Sequence, residues 1–393
     1  MTGRERLTKT FKREKTDRMP IAPFLYYNTT YEMFDYKPAM DRFFDPVDFD
    51  PVEKFVEYCD YFGFDVMHTL GTNWDGWSAN WQPHTFAQRS AENWDVTVVE
   101  EGDEDSRHKT ITIQTPGGEL RQTENKKRSS KYLIVAAIDE HMLKTREDFE
   151  IFRKYCPPMD NIDCSLIRRA RKAVGDKGLV DSCTGGVINV MDAYRKLDQI
   201  FMDPYLDEGF FREMAEFFLE WIIKQDKKMI EAGADVIEFT ANLTTSTVGP
   251  DFFKNFVLEY DKRLIDAIHQ MGAFVNYHNC GDSMKLLHLY NELGMDSFGY
   301  LTPPPFGDVD LDKALKILRP DMVLRGNIDQ VEFLKTATPQ QVRQRVKEVV
   351  QKIKKRGNFI LSTTDFFFDE TPYDNIRAFV EAGMEYGVYA GNQ

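Results

Sequence analysis

The sequence predicts an α/β fold, a (β/α)8 TIM barrel that residues 1–393 form as a single domain. Eight short apolar segments alternate with longer amphipathic segments, which is the order of a barrel of parallel strands. Gly272, Gly294 and Gly357 stand where helices between these strands should end. Several apolar segments are followed at once by residues with catalytic or metal-binding side chains, which is where such residues lie in a barrel, at the carboxyl ends of the strands. A chain of 393 residues is long enough for one such barrel with insertions.

The predicted strands are short apolar runs, as expected of parallel strands that are buried on both faces. In order they are residues 20–25, 65–70, 178–182, 235–239, 273–277, 297–301, 322–326 and 359–362. Helical spacing of apolar residues is clearest in 208–232, 251–271 and 340–355.

One region departs from this alternation. Residues 97–124 combine alternating Val, Thr and Ile with turn sequences at Gly102-Asp103 and Pro116-Gly117-Gly118. Alternation between turn dipeptides is typical of antiparallel hairpins. We therefore expect a β-hairpin insertion at about 95–125, after the second barrel strand.

Composition excludes several classes of protein. With 42% hydrophobic and 29% charged residues the chain is globular, and its formal net charge of −14 argues against a nucleic-acid partner. No run of apolar residues is long enough to span a membrane, and no signal peptide is recognisable. The five cysteines form no dense framework, which favours free thiols in a reducing compartment. These features predict a cytoplasmic protein that binds a small molecule or a basic protein, with oligomeric state open and a homodimer among the alternatives.

The residues richest in chemistry follow the fifth predicted strand. Side chains alternate along a strand, so His278 and Cys280 should point the same way. An imidazole beside a thiolate is half of a typical zinc site, although a packed pair in the core is the simpler alternative. The position at a strand end favours the metal site.

Glu238 lies within the apolar run of the fourth strand. A buried carboxylate without a partner is costly, and a nearby metal would offset that cost. Glu238 is therefore a candidate metal ligand or general acid. A salt bridge or hydrogen bond inside the barrel explains it equally well.

Aromatic residues follow several strands and suggest a wall for a flat ligand. Trp74 and Trp77 follow the second strand, Tyr26 and Tyr27 follow the first, and Phe366 follows the last. A hydrophobic lid or a subunit contact is the alternative for the tryptophans. Asn327, after the seventh strand, is expected to hydrogen-bond the substrate or to hold the barrel rim.

Several segments together resemble a known family. His278-Asn279-Cys280-Gly281-Asp282 resembles the uroporphyrinogen decarboxylase superfamily, and more closely its corrinoid-dependent methyltransferase branch of the O-demethylase type. Further similar segments cover nearly the whole chain: residues 4–20, 231–235, 292–296, 326–329, 359–362 and 370–376. The fold that this resemblance implies is a (β/α)8 barrel.

The superfamily contains two chemistries. Its decarboxylases hold the acid groups of a porphyrinogen with an arginine-rich segment after the first strand, whereas this chain has Phe24-Leu25-Tyr26-Tyr27-Asn28-Thr29 there. Its methyltransferases carry zinc on a His-x-Cys pair and a distant cysteine. The resemblance places His278 and Cys280 in the pair and Asp365 where the third thiolate would be. A carboxylate there still binds zinc and favours an oxygen ligand.

We therefore expect a methyltransferase that moves a methyl group from a methoxylated, aromatic substrate to Co(I) of a separate corrinoid protein. Zinc, or Glu238, His278 and Asp365 as catalytic groups, would activate the ether oxygen. Two alternatives are a metal-free decarboxylase-like lyase, with Asp65 as its acid, and a methylcorrinoid:thiol methyltransferase. A non-enzymatic module that binds a corrinoid partner is the third.

Overall fold

The computed structural model describes residues 1–40, 50–70, 90–158 and 162–389, with only the backbone at 68–70. In chain order its strands are β1 Val66–Leu70, β2 Asp95–Gly102, β3 Ser106–Thr115, β4 Gly118–Arg128, β5 Ile134–Glu140, β6 Gly178–Gly185, β7 Val236–Thr240, β8 Phe274–His278, β9 Ser297–Gly299, β10 Val323–Ile328 and β11 Phe359–Thr363. Seven of them form one parallel sheet in the order β1-β6-β7-β8-β9-β10-β11.

The parallel sheet curls so that its two edge strands approach the same segment. Ile21 pairs in parallel with Leu361 of β11, and its carbonyl accepts a hydrogen bond from the amide of Asp65, just before β1. The predicted first strand, 20–25, is reduced to this single bridge because Pro20 and Pro23 have no N–H to donate. The fold is thus α/β and TIM-barrel-like.

Helices connect the parallel strands and cover the outside of the sheet. Glu208–Ala232 has the predicted bounds, because Asp207 caps its start and Gly233, at φ +117°, ends it. Segment 251–271 instead contains a π-helical turn at Phe253–Val257. The other helices are Gly3–Phe11, Tyr27–Met33, Pro51–Phe62, Arg146–Tyr155, Ser165–Val174, Gly175–Lys177 (3-10), Val187–Asp192, Leu197–Leu206, Pro250–Phe252, Leu258–Gln270, Leu287–Leu293, Leu311–Ile317, Phe333–Thr336, Pro339–Ile353 and Tyr373–Tyr386.

None of these helices, within the described ranges, combines the length and apolar character needed to cross a bilayer.

The N-terminal helix fills the bottom of the barrel, the end at which the strands begin. Its apolar side chains pack among inward-facing residues of most strands, and Phe11 stacks on Phe274 with ring centroids 5.0 Å apart. This inner cluster consists of Leu7, Phe11, Ala22, Met67, Leu179, Val236, Val323 and Ile360, with Phe274 beside it. Because residues of many strands meet in one cluster, the curled sheet encloses a single packed interior.

Asp65 belongs to this bottom end. Its carboxylate pairs with Arg6 at 2.5 Å and with Arg18 at 2.7 Å, and it accepts a hydrogen bond from the Ile21 amide at 2.9 Å. Asp65 therefore fastens the N-terminal segment to the start of β1. It lies at the opposite end of the strand from the residues that follow strands, which removes it as the acid of a lyase site.

The chain segment between β1 and β6 forms a separate four-stranded antiparallel sheet in the order β2-β3-β4-β5. It spans residues 95–140, whereas the sequence predicts a hairpin at about 95–125. The difference lies in β4, which runs to Arg128, and in β5, which the prediction lacks. Trp94, just before β2, packs against Phe152 of Arg146–Tyr155 with centroids 5.6 Å apart and joins this sheet to the helical layer.

Candidate metal centre

Three residues with metal-binding side chains meet at the carboxyl ends of the strands. His278 ends β8, Cys280 lies in the loop after it, and Asp365 follows β11. One ligand atom from each lies within 4.8 Å of the others, and Cys280 Sγ is 3.6 Å from Asp365 Oδ2. The strand ends at His278, so the loop after it, rather than strand alternation, brings Cys280 beside the imidazole.

Glu238 lies beneath His278 and is saturated with hydrogen-bond donors. Its Oε1 is 2.9 Å from His278 Nδ1 and accepts from the Tyr300 hydroxyl at 3.1 Å. Its Oε2 accepts from Asn276 at 2.7 Å and from Arg325 at 3.3 Å. Strand register explains this convergence, because Glu238 of β7 lies directly opposite Asn276 of β8.

These contacts determine the pKa values of Glu238 and His278. Burial alone would raise the pKa of Glu238, but the hydrogen bond from His278 and the charge of Arg325 outweigh it and lower the pKa to about 2. Burial would lower the pKa of His278, but its bonds to Cys280 and Glu238 raise it to about 10. Glu238 is thus an ionised carboxylate that holds one imidazole nitrogen.

The trio fits a zinc ion by the chemistry of its donors. Glu238 occupies Nδ1 of His278, so a metal would bind Nε2 in place of its proton, which is the arrangement that orients a ligating histidine. Asp365 Oδ1 accepts from the Phe366 amide at 2.8 Å, while Oδ2 faces Cys280. Burial raises the pKa of Asp365, so a positive charge nearby would stabilise its ionised form. Nitrogen, sulfur and oxygen donors together match the ligand set of zinc.

Arg325 is the main residue that the sequence analysis missed. It is fully buried on β10, with Nη1 3.3 Å from Glu238 and 3.8 Å from Asp181, and its guanidinium lies 4.9 Å from the centroid of the Tyr300 ring. Its Nη2 donates to the carbonyl of Ala22 at 3.3 Å. A charged side chain inside the apolar strand 322–326 was the available signal.

Aromatic rings line the same end of the barrel. Tyr26 lies 4.5 Å from Phe366 and 5.2 Å from Phe24, and Phe24 lies 5.0 Å from the His278 ring, all between centroids. Burial raises the pKa of Tyr26 well above its usual value, and the charges of Cys183 and Asp365 raise it further. Tyr26 and Phe366 therefore lie beside the candidate metal-binding trio of His278, Cys280 and Asp365.

Two other predicted substrate residues, Tyr27 and Asn327, lie away from this trio. Tyr27 begins helix Tyr27–Met33 and packs on Tyr31 and Phe55, at centroid distances of 6.0 and 5.9 Å, because it turns away from its neighbour Tyr26. Asn327 donates to the carbonyl of Leu301 and accepts from Arg345, so both ends of its amide hold the rim. Trp74 and Trp77 lie outside the described residues.

Comparison with known proteins places this chain in a family. Residues 135–386, more than half of the chain, match the family described as uroporphyrinogen decarboxylase (URO-D). The chain belongs to this family. Its fold is also similar to that of a methyltransferase from Methanosarcina mazei, with a TM-score of 0.70 over 98% of this chain and 99% of the other, at 15% sequence identity.

Relatives of known name carry out both chemistries of the family. The chain is 24% identical over 256 residues to the methylcobamide:CoM methyltransferase MtbA of Methanosarcina acetivorans, covering 64% of this chain and 71% of that protein. It is 27% identical over 185 residues to a methylated-thiol–coenzyme M methyltransferase of Methanosarcina mazei, covering 47% and 46%. It is also 24% identical over 253 residues to the uroporphyrinogen decarboxylase of Gloeobacter violaceus, covering 61% and 69%.

Proposed function

We propose that this protein is a corrinoid-dependent methyltransferase of the O-demethylase type. It takes a methyl group from a methoxylated aromatic compound and passes it to Co(I) of a corrinoid carried by a partner protein. The observation that carries this proposal is the meeting of His278, Cys280 and Asp365 beside the rings of Tyr26 and Phe366. The named methylcobamide:CoM methyltransferase supports the corrinoid partner.

His278, Cys280 and Asp365 would hold zinc, which would supply Lewis acidity toward the ether oxygen. The chain's own residues determine the shape of that site. Asp365 brings an oxygen donor where a third thiolate would donate more charge, which favours an oxygen-bearing substrate. Glu238 fixes His278 in one orientation and remains ionised, so its role is positioning rather than proton donation or direct ligation.

The aromatic residues supply position and a dry environment. Tyr26, Phe24 and Phe366 present ring faces and edges on which an arene can stack. Burial keeps the Tyr26 hydroxyl protonated, so this hydroxyl can hydrogen-bond to oxygen as negative charge develops there. A stacked arene holds its methoxy carbon in one direction, which lowers the entropic cost of in-line attack by cobalt.

A decarboxylase-like lyase fits these residues less well. A porphyrinogen carries several carboxylates, and the described residues that follow the first barrel segment, Phe24–Thr29, offer aromatic and amide groups rather than arginine. Arg325 is fully buried and paired with Glu238, so it does not offer a free guanidinium to the carboxylates of a porphyrinogen.

A methylcorrinoid:thiol methyltransferase is the second candidate, favoured by the two relatives named for methyl transfer to coenzyme M. The same trio would then bind a thiol acceptor. Asp365 separates the two candidates, because a softer thiolate donor in its place suits a sulfur ligand better.

The decisive experiment is a methyl-transfer assay. The zinc-loaded protein is mixed with Co(I) corrinoid and a panel of methoxyarenes, and formation of methyl-cobalt is followed by absorbance. We expect at least one methoxyarene to methylate cobalt, and no methyl transfer from methylcobalamin to coenzyme M. The reverse pattern would establish the second candidate. Failure of every methoxyarene and of the thiol would overturn both.

A pair of cysteine variants ties the activity to the trio. Cys280→Ala should lose bound zinc, measured by metal analysis of protein purified without chelator, and should lose methyl transfer with it. Cys156→Ala removes a thiol outside the trio and should keep both. Full activity of Cys280→Ala without bound metal would contradict the role of the trio.

A further inference from the structure

A cavity at the end of the barrel opposite the candidate metal centre is lined mainly by positively charged side chains. It encloses about 370 Å³ between the end of helix Gly3–Phe11 and the turn between helix Pro339–Ile353 and β11. Because this turn precedes β11, the cavity lies where the strands begin. Five of its lining residues are cationic and one is acidic: Arg13, Lys15, Lys354, Lys355, Arg356 and Glu14.

Several of these cations are held in place by hydrogen bonds to backbone carbonyls. Lys354 donates to the carbonyl of Tyr386 at 3.0 Å, and Arg356 donates to that of Met322 at 2.9 Å. Arg13 donates to the carbonyl of Asp321 at 2.9 Å. Carbonyl acceptors fix the direction of a side chain but leave its full charge, so these bonds organise positive charge around the cavity.

Nearby negative charge does not balance the five cations. Glu14 lines the cavity, Asp296 pairs with Arg13 at 3.3 Å, and the charge of Asp321 acts on Arg356. The two helices that end here each add about half a negative charge at their carboxyl ends. The balance stays positive, in a chain whose formal net charge is −14.

The two remaining lysines are free to engage a ligand. Lys15 and Lys355 are exposed and have no ion-pair partner within the described residues. Ammonium groups on flexible stems, together with fixed guanidinium groups, are the usual means of binding phosphate groups. A volume of about 370 Å³ suits a small molecule rather than a polypeptide segment.

We infer that this cavity binds a small anion with two or more phosphate charges, either an inorganic polyphosphate or a nucleoside diphosphate. This second site is independent of the proposed methyl transfer, because its residues belong to the opposite end of the barrel. The shared chemistry is a diphosphate group held by Lys15, Lys355 and the fixed arginines.

The test is calorimetric titration of the full chain with pyrophosphate and, separately, with ADP. The double variant Lys15→Ala/Lys355→Ala should weaken pyrophosphate binding by about 10-fold or more, because two ammonium–phosphate attractions are lost. The control Lys172→Ala/Lys316→Ala removes two exposed lysines outside the cavity and should bind as the unaltered chain does. Circular dichroism of each variant checks that it is folded.

The two ligands distinguish the source of the diphosphate group. Tighter binding of ADP than of pyrophosphate would identify a nucleotide, and equal binding would identify the diphosphate group alone. The inference is overturned if pyrophosphate and ADP both fail to bind. It is equally overturned if the cavity variant binds as tightly as the control, since the anion would then sit elsewhere, for example on a metal at the other end of the barrel.

Discussion

Glu238 shows how a single buried carboxylate organises the site. It is fully buried, and its two oxygens accept from His278, Tyr300, Asn276 and Arg325. An ionised group without such donors would be too costly inside a barrel. The donors therefore stabilise the charge, and the charge in turn holds His278 Nδ1.

Replacing Glu238 with Gln should weaken metal binding. The amide keeps the size of the side chain but removes the negative charge that polarises His278 and fixes its orientation. We expect zinc affinity to fall about 10- to 100-fold, as for other partners of ligating histidines. Competition with a chromophoric chelator measures this affinity. Unchanged affinity would show that Glu238 serves only the packing of the barrel.

Replacing Arg325 with Met should destabilise the protein strongly. Glu238 and Asp181 would then lose their guanidinium partner in the barrel interior, and breaking a buried pair on one side costs about 3–5 kcal/mol. Adding Glu238→Gln should recover part of that loss, because the buried charge of Glu238 disappears while Asp181 is unchanged. Urea unfolding of both single variants and the double variant gives the coupling between the two sites. Simple additivity would contradict the proposed pairing.

The site was predictable from the sequence only in part. His278, Cys280 and Asp365 could be proposed together because they follow strands and resemble a known ligand pattern. Arg325 escaped because the sequence does not say which inward-facing side chains meet across a barrel. Tyr27 was wrongly grouped with Tyr26, since a helix begins there and turns the second ring into the outer core.

At the scale of elements, the apolar parallel strands could be predicted from the sequence, whereas the full length of the polar antiparallel strand β4 could not. Most predicted barrel strands lie within one or two residues of the observed ones, since burial on both faces demands continuous apolar runs. The strand β4, with the sequence GELRQTENKKR, has no apolar alternation. Its full length is visible only in the structure, where it pairs with β3 and β5. The insertion was therefore predicted too short.

Helix Leu258–Gln270 carries a pH-dependent contact with β8. Asp261 is buried and accepts from the Tyr277 hydroxyl at 3.0 Å, and burial raises its pKa to about 7 despite that bond. In the unfolded chain an aspartate titrates near ~3.9. Between these values the folded state retains a proton that the unfolded state has lost, so stability falls as pH rises from about 4 to about 7.

Asp261→Asn should remove this dependence. Relative to the unaltered protein, the variant should gain stability as pH rises from about 4 to about 7, by at most about 4 kcal/mol for a shift of this size. Urea unfolding at several pH values measures the difference. Asp266→Asn makes the same substitution at an exposed aspartate of the same helix and is the control. If the difference in stability between Asp261→Asn and the unaltered protein did not vary with pH, the pKa of Asp261 would not be raised in the folded protein.

At the scale of the whole molecule, the two ends of the barrel carry different sets of residues. The end where strands finish holds His278, Cys280 and Asp365 and the aromatic rings. The end where strands begin holds the N-terminal helix, the Asp65 ion pairs and the cationic cavity. The packed interior between them links the two ends, because Phe11 and the strands share one apolar cluster.

This linkage makes a prediction about Phe11, which is fully buried and stacked on Phe274. Phe11→Ala leaves a cavity at the bottom of the barrel and should cost about 3–5 kcal/mol in the free energy of unfolding. If the barrel unfolds as one unit, release of bound zinc should shift to lower urea together with the far-ultraviolet circular dichroism.

Phe306→Ala, at a residue 41% exposed, is the matched control and should change stability by no more than about 0.5 kcal/mol. A Phe11→Ala variant in which the circular dichroism shifts while zinc release stays in place would show that the two ends of the barrel unfold separately. The N-terminal helix would then stabilise only the end of the barrel where the strands begin, and zinc binding would depend only on the end where the strands finish.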